Sequence, residues 1–439
     1  MTSAPETLRE ARGFARLWTA STTSAFGSYV TILAVQVLVV DVLAGNAFDV
    51  GLVNAARWLP YLLFGLLVGV LVDRMRRRPL LVATDLLSAI ALAAIPVLSA
   101  LGHLNVAWLI GLMIVFGSCR VVGDAAFQSY VPRLVPARLL GPAHARIDQS
   151  DAVAQASGPA LAGALVSWLG APVAVLVDAV SYLVSAVLIA TVRVVEEAPR
   201  TALRARGIGR EIGEGLRWIY RHPTLRPLTI STHLWFVCSA VAGAVMTPFA
   251  LRTLHLSAAT LGLALAAAGV GALVGASLAV GLGERLGAGR VVIAARVGTG
   301  LAWVLMAAAP LALPDGPTAG SWGGGAPWVV FALGQLLLGL CMGSENANEM
   351  AYQQTATPDR LQGRMAATKR SINRAMIVVA APLGGLLGDA AGFGTALALA
   401  GAALVLVAVV SLGTGLRGAR LGDEYTSRGE ALSPGAPPR

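Results

Sequence analysis

The chain has 439 residues, 56% of them hydrophobic and 13% charged, with a mean hydropathy of +0.71. A soluble domain carries about 25% charged residues, so this composition excludes an ordinary soluble enzyme or binding module and points to a polytopic membrane protein. The net charge of +10 is no mark of a nucleic-acid partner, because the basic residues lie mostly in loops and only Lys369 is a lysine.

Twelve apolar stretches follow in chain order: 19–42, 50–71, 79–100, 106–129, 145–168, 172–192, 228–250, 260–282, 290–312, 327–350, 366–388 and 393–415. Each is long enough to span a bilayer at about 1.5 Å per residue. Arg9, Arg12 and Arg16 precede the first, which is too long for a signal-peptide core and reads as an uncleaved helix. Among the odd-numbered loops only one basic residue occurs, Arg252. The others crowd the N-terminus, the even-numbered loops with their bordering turns, the linker and the tail, apart from Arg57, Arg120, Arg296 and Arg374 within spans. That alternation predicts cytoplasmic N- and C-termini in a bacterial inner membrane. The expected layout is an N-terminal segment 1–18, a six-helix bundle 19–192, a cytoplasmic linker 193–227, a second six-helix bundle 228–415 and a disordered tail 416–439.

Within the linker, Ile208, Ile212, Leu216 and Ile219 recur at helical spacing among Arg210, Glu211, Glu214, Arg217 and Arg221. An amphipathic helix on the inner membrane surface is expected, with a short soluble linker helix as the alternative. The Gly/Pro-rich segment 314–327 is the longest external loop. Cys119, Cys238 and Cys341 all fall in apolar spans without a C-x-x-C, so neither a metal site nor a disulfide framework is expected.

The halves repeat one another. One constant offset pairs Gly51 with Gly262, Asp73 with Glu284 and Arg74 with Arg285. After the long external loop a second offset pairs Gly117 with Gly339, Cys119 with Cys341, Tyr130 with Tyr352, Pro136 with Pro358 and Gly163 with Gly385.

Between spans two and three the chain reads GVLVDRMRRRPLL, residues 69–81. This resembles the loop signature of the major facilitator superfamily, with Arg76 where many members have Gly. The resemblance implies an all-α integral membrane fold of twelve transmembrane helices, built as two six-helix pseudo-repeats with the substrate cavity between them. It makes Asp73, Arg74, Arg77 and Arg78 a gate, with Glu284 and Arg285 its degraded second copy. Asp73 is expected to meet the inner end of span eleven, where free N–H groups attract a carboxylate, and so to hold the cytoplasmic side shut. Stretches such as WLPYLLFGLLVGVLVDRMRRRPLLVATD, YVPRLVPARLLGPAHA and QTATPDRLQGRM resemble the branch of macrolide-efflux proteins and the enterobactin exporter, over about residues 14–415. Gly158, Pro159 and Gly163 in span five resemble the core of the antiporter motif, with close helix packing as the purely structural reading.

Charges inside spans are the candidates for proton coupling, since an isolated charge there costs at least about 2.5–3.5 kcal/mol. Arg120 and Asp124 lie four apart on span four; Arg120 resembles the superfamily's span-four arginine, and a structural ion pair is the alternative. Glu345 and Glu349 lie four apart on span ten, where mutual repulsion suits proton binding and release. Asp41, Arg57 and Asp178 are expected to form an outer cluster in the first half. Asp148 and Asp151 read as stabilising the start of span five, His233 as a satisfied buried histidine, and Arg374 as a group that attracts an anionic substrate moiety.

The expected activity is proton-coupled efflux of an amphipathic small molecule by alternating access, by a monomer, with the proton gradient in place of any cofactor. An importer or lysolipid flippase on the same frame is the alternative. An integral-membrane enzyme is disfavoured by the absence of H-E-x-x-H, P-loop and nucleophile-elbow motifs; a non-transporting scaffold is disfavoured by the intact Asp73 and Arg74.

Overall fold

The computed structural model describes residues 7–8, 11–192, 208–312 and 325–421. The segments 314–324 of the external loop, 193–207 of the linker and 422–439 of the tail lie outside the described residues. Thirteen α-helices are present among the described residues: α1 Arg12–Val37, α2 Ala47–Asp73, α3 Arg77–Ala100, α4 Val106–Leu134, α5 Leu140–Leu169, α6 Ala171–Ala190, α7 Ile208–Arg221, α8 Leu225–Pro248, α9 Ala258–Leu286, α10 Ala288–Ala307, α11 Ala326–Thr355, α12 Asp359–Ala391 and α13 Phe393–Leu412. Eleven are long and apolar enough to cross a membrane. With α2, of 27 residues, they make the twelve expected spans. Several helices outrun the apolar stretches that announced them. α4 and α11 continue to Leu134 and Thr355, and α5 and α12 begin already at Leu140 and Asp359, because an amphiphilic end turn keeps its backbone bonded outside hydrocarbon.

The first six helices pack among themselves, α1 on α5 and α6, α3 on α4 and α6, and α2 on α4; α8 to α13 repeat the plan. The repeat extends to detail. α1 ends in a π-helical turn, Leu38–Val42, and α8 in another, Phe249–Thr253, at the same offset that pairs Gly51 with Gly262. The face bearing Arg12 and α7 is termed the near face, and that bearing the α1–α2 turn the far face.

Helix α7 docks on the near end of the second half. Its Ile219 is buried in a cluster with Leu225, Leu228, Val292, Tyr352 and Leu416, so the helix packs against protein along that side. Its Tyr220 hydroxyl lies 2.9 Å from His233 Nε2 on α8, and His233 Nδ1 lies 2.6 Å from Asn373 Oδ1 on α12. Burial raises the Tyr220 hydroxyl above its ordinary value, which keeps it neutral.

The apolar core shows how the halves meet. On the far side one continuous cluster runs through both, from Val30, Val50 and Phe116 to Phe249, Leu261 and Leu397. On the near side the core divides into two clusters, one confined to the first half around Leu17, Tyr130 and Ile147, the other to the second around Leu228, Val292 and Tyr352.

Candidate functional site

Two helix crossings seal the far side. In the first, α2 lies against α12: a Cβ at Gly51 would run into the Ala381 carbonyl, and one at Gly385 into that of Ala47. The Asp389 carboxylate on α12 accepts hydrogen bonds from the Ala47 and Phe48 N–H groups at 3.0 Å each, so an acid of the second half holds the open N-terminus of a first-half helix. In the second crossing, α5 lies against α9: a Cβ at Gly163 would meet the Ala258 carbonyl, and one at Gly262 the carbonyl of Pro159. Gly158 faces inward instead, against Tyr29 of α1. The antiporter-like residues thus serve both the seam and the packing of their own half. Arg252 adds hydrogen bonds to the Val40 and Gly45 carbonyls at 2.9 and 2.8 Å, and Thr247 donates to Gln36. Toward the near face, Gly65 and Gly69 of α2, Gly141 of α5, Gly281 of α9 and Gly363 of α12 have no atom within 4 Å of a built Cβ. The halves touch on the far side and part on the near side.

Between the halves Arg374 of α12 stacks 3.8 Å over the Trp58 ring of α2, with Tyr61 at 6.0 Å; Arg57 lies 5.3 Å from the same indole and 5.9 Å from Phe116. Trp235 and Phe236 of α8 make an edge contact at 5.0 Å. The Arg374 Nε and Trp235 Nε1 are buried donors with no partner among the described residues. Guanidinium over aromatic rings binds ligands that combine an apolar body with an acceptor or anionic group.

Each half has a polar centre of its own. In the first, Arg120 pairs with Asp124 at 3.1 Å and reaches the Tyr182 hydroxyl at 3.3 Å, while Tyr61 donates to Asp124 at 2.5 Å. Arg120, Asp124 and Tyr182 line a chamber of about 180 Å³ with Asp85, Asp151, Ser24 and Ser185. The Ser185 hydroxyl donates to Asp85 at 2.6 Å. In the second half Arg296 is fully buried; it bonds Glu345 at 2.7 Å, Glu349 at 3.2 Å, Thr232 at 2.8 Å, and Ser231. Lys369 pairs with Glu349.

Several expectations change with this geometry. Glu345 and Glu349 do not stand as a repelling carboxylate pair, because Arg296 and Lys369 neutralise them. Asp41 is exposed and does not join Asp178. The latter is fully buried, bonded to Thr31 at 2.5 Å and Ser181 at 2.9 Å, and Thr31 lies about 15 Å from Asp41 along α1. Asp148 and Asp151 cannot stabilise the start of α5, since the helix begins at Leu140 and the end effect fades within a turn. His233 is satisfied on both ring nitrogens.

At the α2–α3 turn, Arg77 is buried and donates to the Met75 carbonyl at 3.0 Å, and Arg78 donates to the Ala190 carbonyl at the end of α6. Arg74 caps α2; Glu284 and Arg285 are exposed at the end of α9. The Asp73 side chain lies outside the described residues. Residues that matter here and were not singled out from sequence are Asp85, Arg296, Lys369 and Asp389. One signal was available: Asp85 and Arg296 are charges within spans, related by the offset that pairs Gly51 with Gly262.

The transmembrane secretion effector family model matches residues 3–428. The chain is similar to an uncharacterised MFS-type transporter of Sinorhizobium fredii, 27% identical over 82% of this chain and 85% of that one. It is also similar to the multidrug efflux pump Tap of Mycobacterium tuberculosis, 27% identical over 86% and 87%, and to macrolide efflux protein A of Streptococcus pyogenes, 24% identical over 46% and 50%. Among solved structures, a bacterial homologue of the iron transporter ferroportin in an inward-facing state superposes with a TM-score of 0.70 at 15% identity over 93% of this chain and 99% of that one. The D-xylose-proton symporter gives 0.69 at 16% identity over 93% and 99%; both show the fold alone. The matches are to transporters and not to enzymes, and the sequence, the twelve-helix architecture and the match over nearly the whole length agree: the chain belongs to the transmembrane secretion effector family of the major facilitator superfamily, as a multi-pass membrane transporter.

Proposed function

We propose that the protein is a proton-driven exporter of amphipathic small molecules, a drug, macrolide, siderophore or secondary metabolite, acting as a monomer by alternating access in a bacterial inner membrane. The observation that carries this reading is the divided core: joined through both halves on the far side and split on the near side, with an arginine–aromatic surface between. Multidrug and macrolide efflux pumps among the relatives favour export over import. The alternation of basic residues makes the near face cytoplasmic, so the described state is open to the cytoplasm, where an exporter collects its cargo. The Arg374 guanidinium and the Trp58, Tyr61 and Phe236 rings are the surface offered to that cargo.

Rocking then exchanges one latch for another. α2 and α12 run antiparallel, so each helix N-terminus meets the other's C-terminal end. Asp389 holds the N-terminus of α2 on the far face; when the near face closes, Asp73 takes the N-terminus of α12. Dye and macrolide accumulation in an efflux-deficient bacterium, with and without protonophore, tests the function. Lowered accumulation that protonophore restores is expected, and Asp73→Asn is expected to abolish it at normal expression. Unchanged accumulation of every compound would shift the reading to a narrow metabolite exporter or to lipid movement.

A further inference from the structure

The chamber of the first half has a counterpart in the second. The offset that pairs Gly51 with Gly262 also pairs Ser21 with Thr232 and Asp85 with Arg296. The offset that pairs Gly163 with Gly385 also pairs Gly123 with Glu345, Phe127 with Glu349 and Ile147 with Lys369. The first member of every pair lines the chamber, and the second belongs to the network around Arg296. One intrabundle position is therefore built in two ways. In the second half, fixed cations fill it and are matched by two carboxylates. In the first half, the carboxylates have become Gly123 and Phe127, the cations have become Asp85 and Ile147, and about 180 Å³ opens.

The wall of that space has three carboxylates, Asp85, Asp124 and Asp151, against one arginine, Arg120. Three carboxylates facing one guanidinium leave the space with an excess of negative charge, which attracts a cation even where water reaches the wall. A second observation points to a ligand. The Ser24 hydroxyl, on a residue 6% exposed, lines the chamber with no hydrogen-bond partner among the described residues. At about 30 Å³ per water the volume suits a hydrated small ion, with room for roughly six waters. Among the described residues no group of three or more His, Cys, Asp or Glu is arranged to hold a metal ion, which disfavours a multivalent occupant needing several carboxylates at once.

We propose that the first-half chamber binds a small monovalent cation, the proton of the coupling reaction or a sodium ion in its place, and that Asp85 is the carboxylate that holds it. The second half carries the same positive charge as a tethered guanidinium, whereas the first half takes it from solution and can release it. Arg120 and Asp124 of α4, Asp151 of α5 and Tyr182 of α6 face the same space, with Tyr61 and Arg57 of α2 behind them. A cation entering there competes with Arg120 for Asp124 and so loosens the Tyr61–Asp124 bond. Tyr61 stands beside Arg374 of the other half, so occupancy reaches the contact on which rocking turns. Only this last link rests on the transport reading.

The test uses the full chain purified in detergent, with no transported compound present. A pH-indicator dye follows proton uptake, and radioactive sodium follows sodium binding. Wild type is expected to bind one of the two, Asp85→Asn to lose that binding, and Asp85→Glu to keep it. Gly123→Leu supplies an independent check: a Cβ there meets only Thr84 at ordinary contact distance, so the larger side chain fills the chamber and is expected to abolish the same binding with Asp85 intact. Wild-type proton uptake and sodium binding in Asp85→Asn, or in Gly123→Leu, overturns the site. Protonophore-sensitive efflux that persists in Asp85→Asn overturns the chamber and leaves export standing. Asp85-dependent binding in a protein that moves no test compound leaves the chamber standing and overturns drug export.

Discussion

The centre of the second half holds a fully buried arginine between two glutamates, and the centre of the first holds an aspartate beside an open chamber. The backbone plan is shared down to the π-turns that end α1 and α8, so the difference lies in side chains alone. Breaking a buried ion pair from one side leaves an uncompensated charge, so the Arg296 network stiffens its half and tolerates little change. The Arg120–Asp124 pair is about one-third exposed, at 35% and 41%, and exposed pairs contribute little to stability. Pseudo-symmetric positions thus divide two tasks, a fixed strut in one half and an exchangeable charge in the other.

The largest effect is expected at the strut. Arg296→Leu leaves Glu345 and Glu349 short of their main cation and should lower stability by about 3–5 kcal/mol, read as thermal unfolding in detergent. Wild-type melting in that variant would erase the distinction between the halves. Replacing both Glu345 and Glu349 by Gln strands Arg296 and Lys369 instead. It should destabilise comparably rather than uncouple a well-folded transporter, in contrast to what the bare pair of carboxylates suggests.

A smaller effect belongs to the seams that join the halves. Gly163→Leu or Gly385→Leu forces apart backbones that touch, at about 1–3 kcal/mol, and should open the far face. Distances between spin labels placed across that face would lengthen; no change would mean that the crossing carries no gate. Asp389→Asn keeps the shape of the latch and loses its charge. It should weaken the far-face seal by about 1 kcal/mol, near the value of a charge at a helix end, and lengthen the same distances in a smaller share of molecules.

The smallest change in stability is expected at Asp124→Asn, within about 1 kcal/mol by melting, accompanied by a clear loss of coupled efflux. A large drop in melting would make Arg120–Asp124 a strut like its counterpart.

Much of the fold was legible in the chain. Twelve apolar stretches, basic residues confined to alternate connections and two constant offsets specify two six-helix halves, because the transfer of a segment into lipid depends on its own residues. The Gly158–Pro159–Gly163 run was legible as a close-packing element, and its contact with α9 follows from the small residues on both sides. The charged residues were harder. Glu345 and Glu349 read as a repelling pair because their neutralising partners come from α10 and α12, and nothing in the local sequence set Asp85 apart. Asp151 looked like a helix-start residue because α5 begins earlier than its apolar stretch.

By itself the sequence determined the number of spans, the pseudo-repeat and the family, all properties of segments or of their order. Tertiary structure alone decided which groups meet: Arg296 with Glu345 and Glu349, Tyr61 with Asp124, Asp389 with the start of α2, and Asp85 with Ser185 on the wall of a chamber. The reason is rotational. Hydropathy fixes that a helix lies in the membrane, but the direction in which a side chain points depends on how each helix turns about its own axis as its neighbours pack against it.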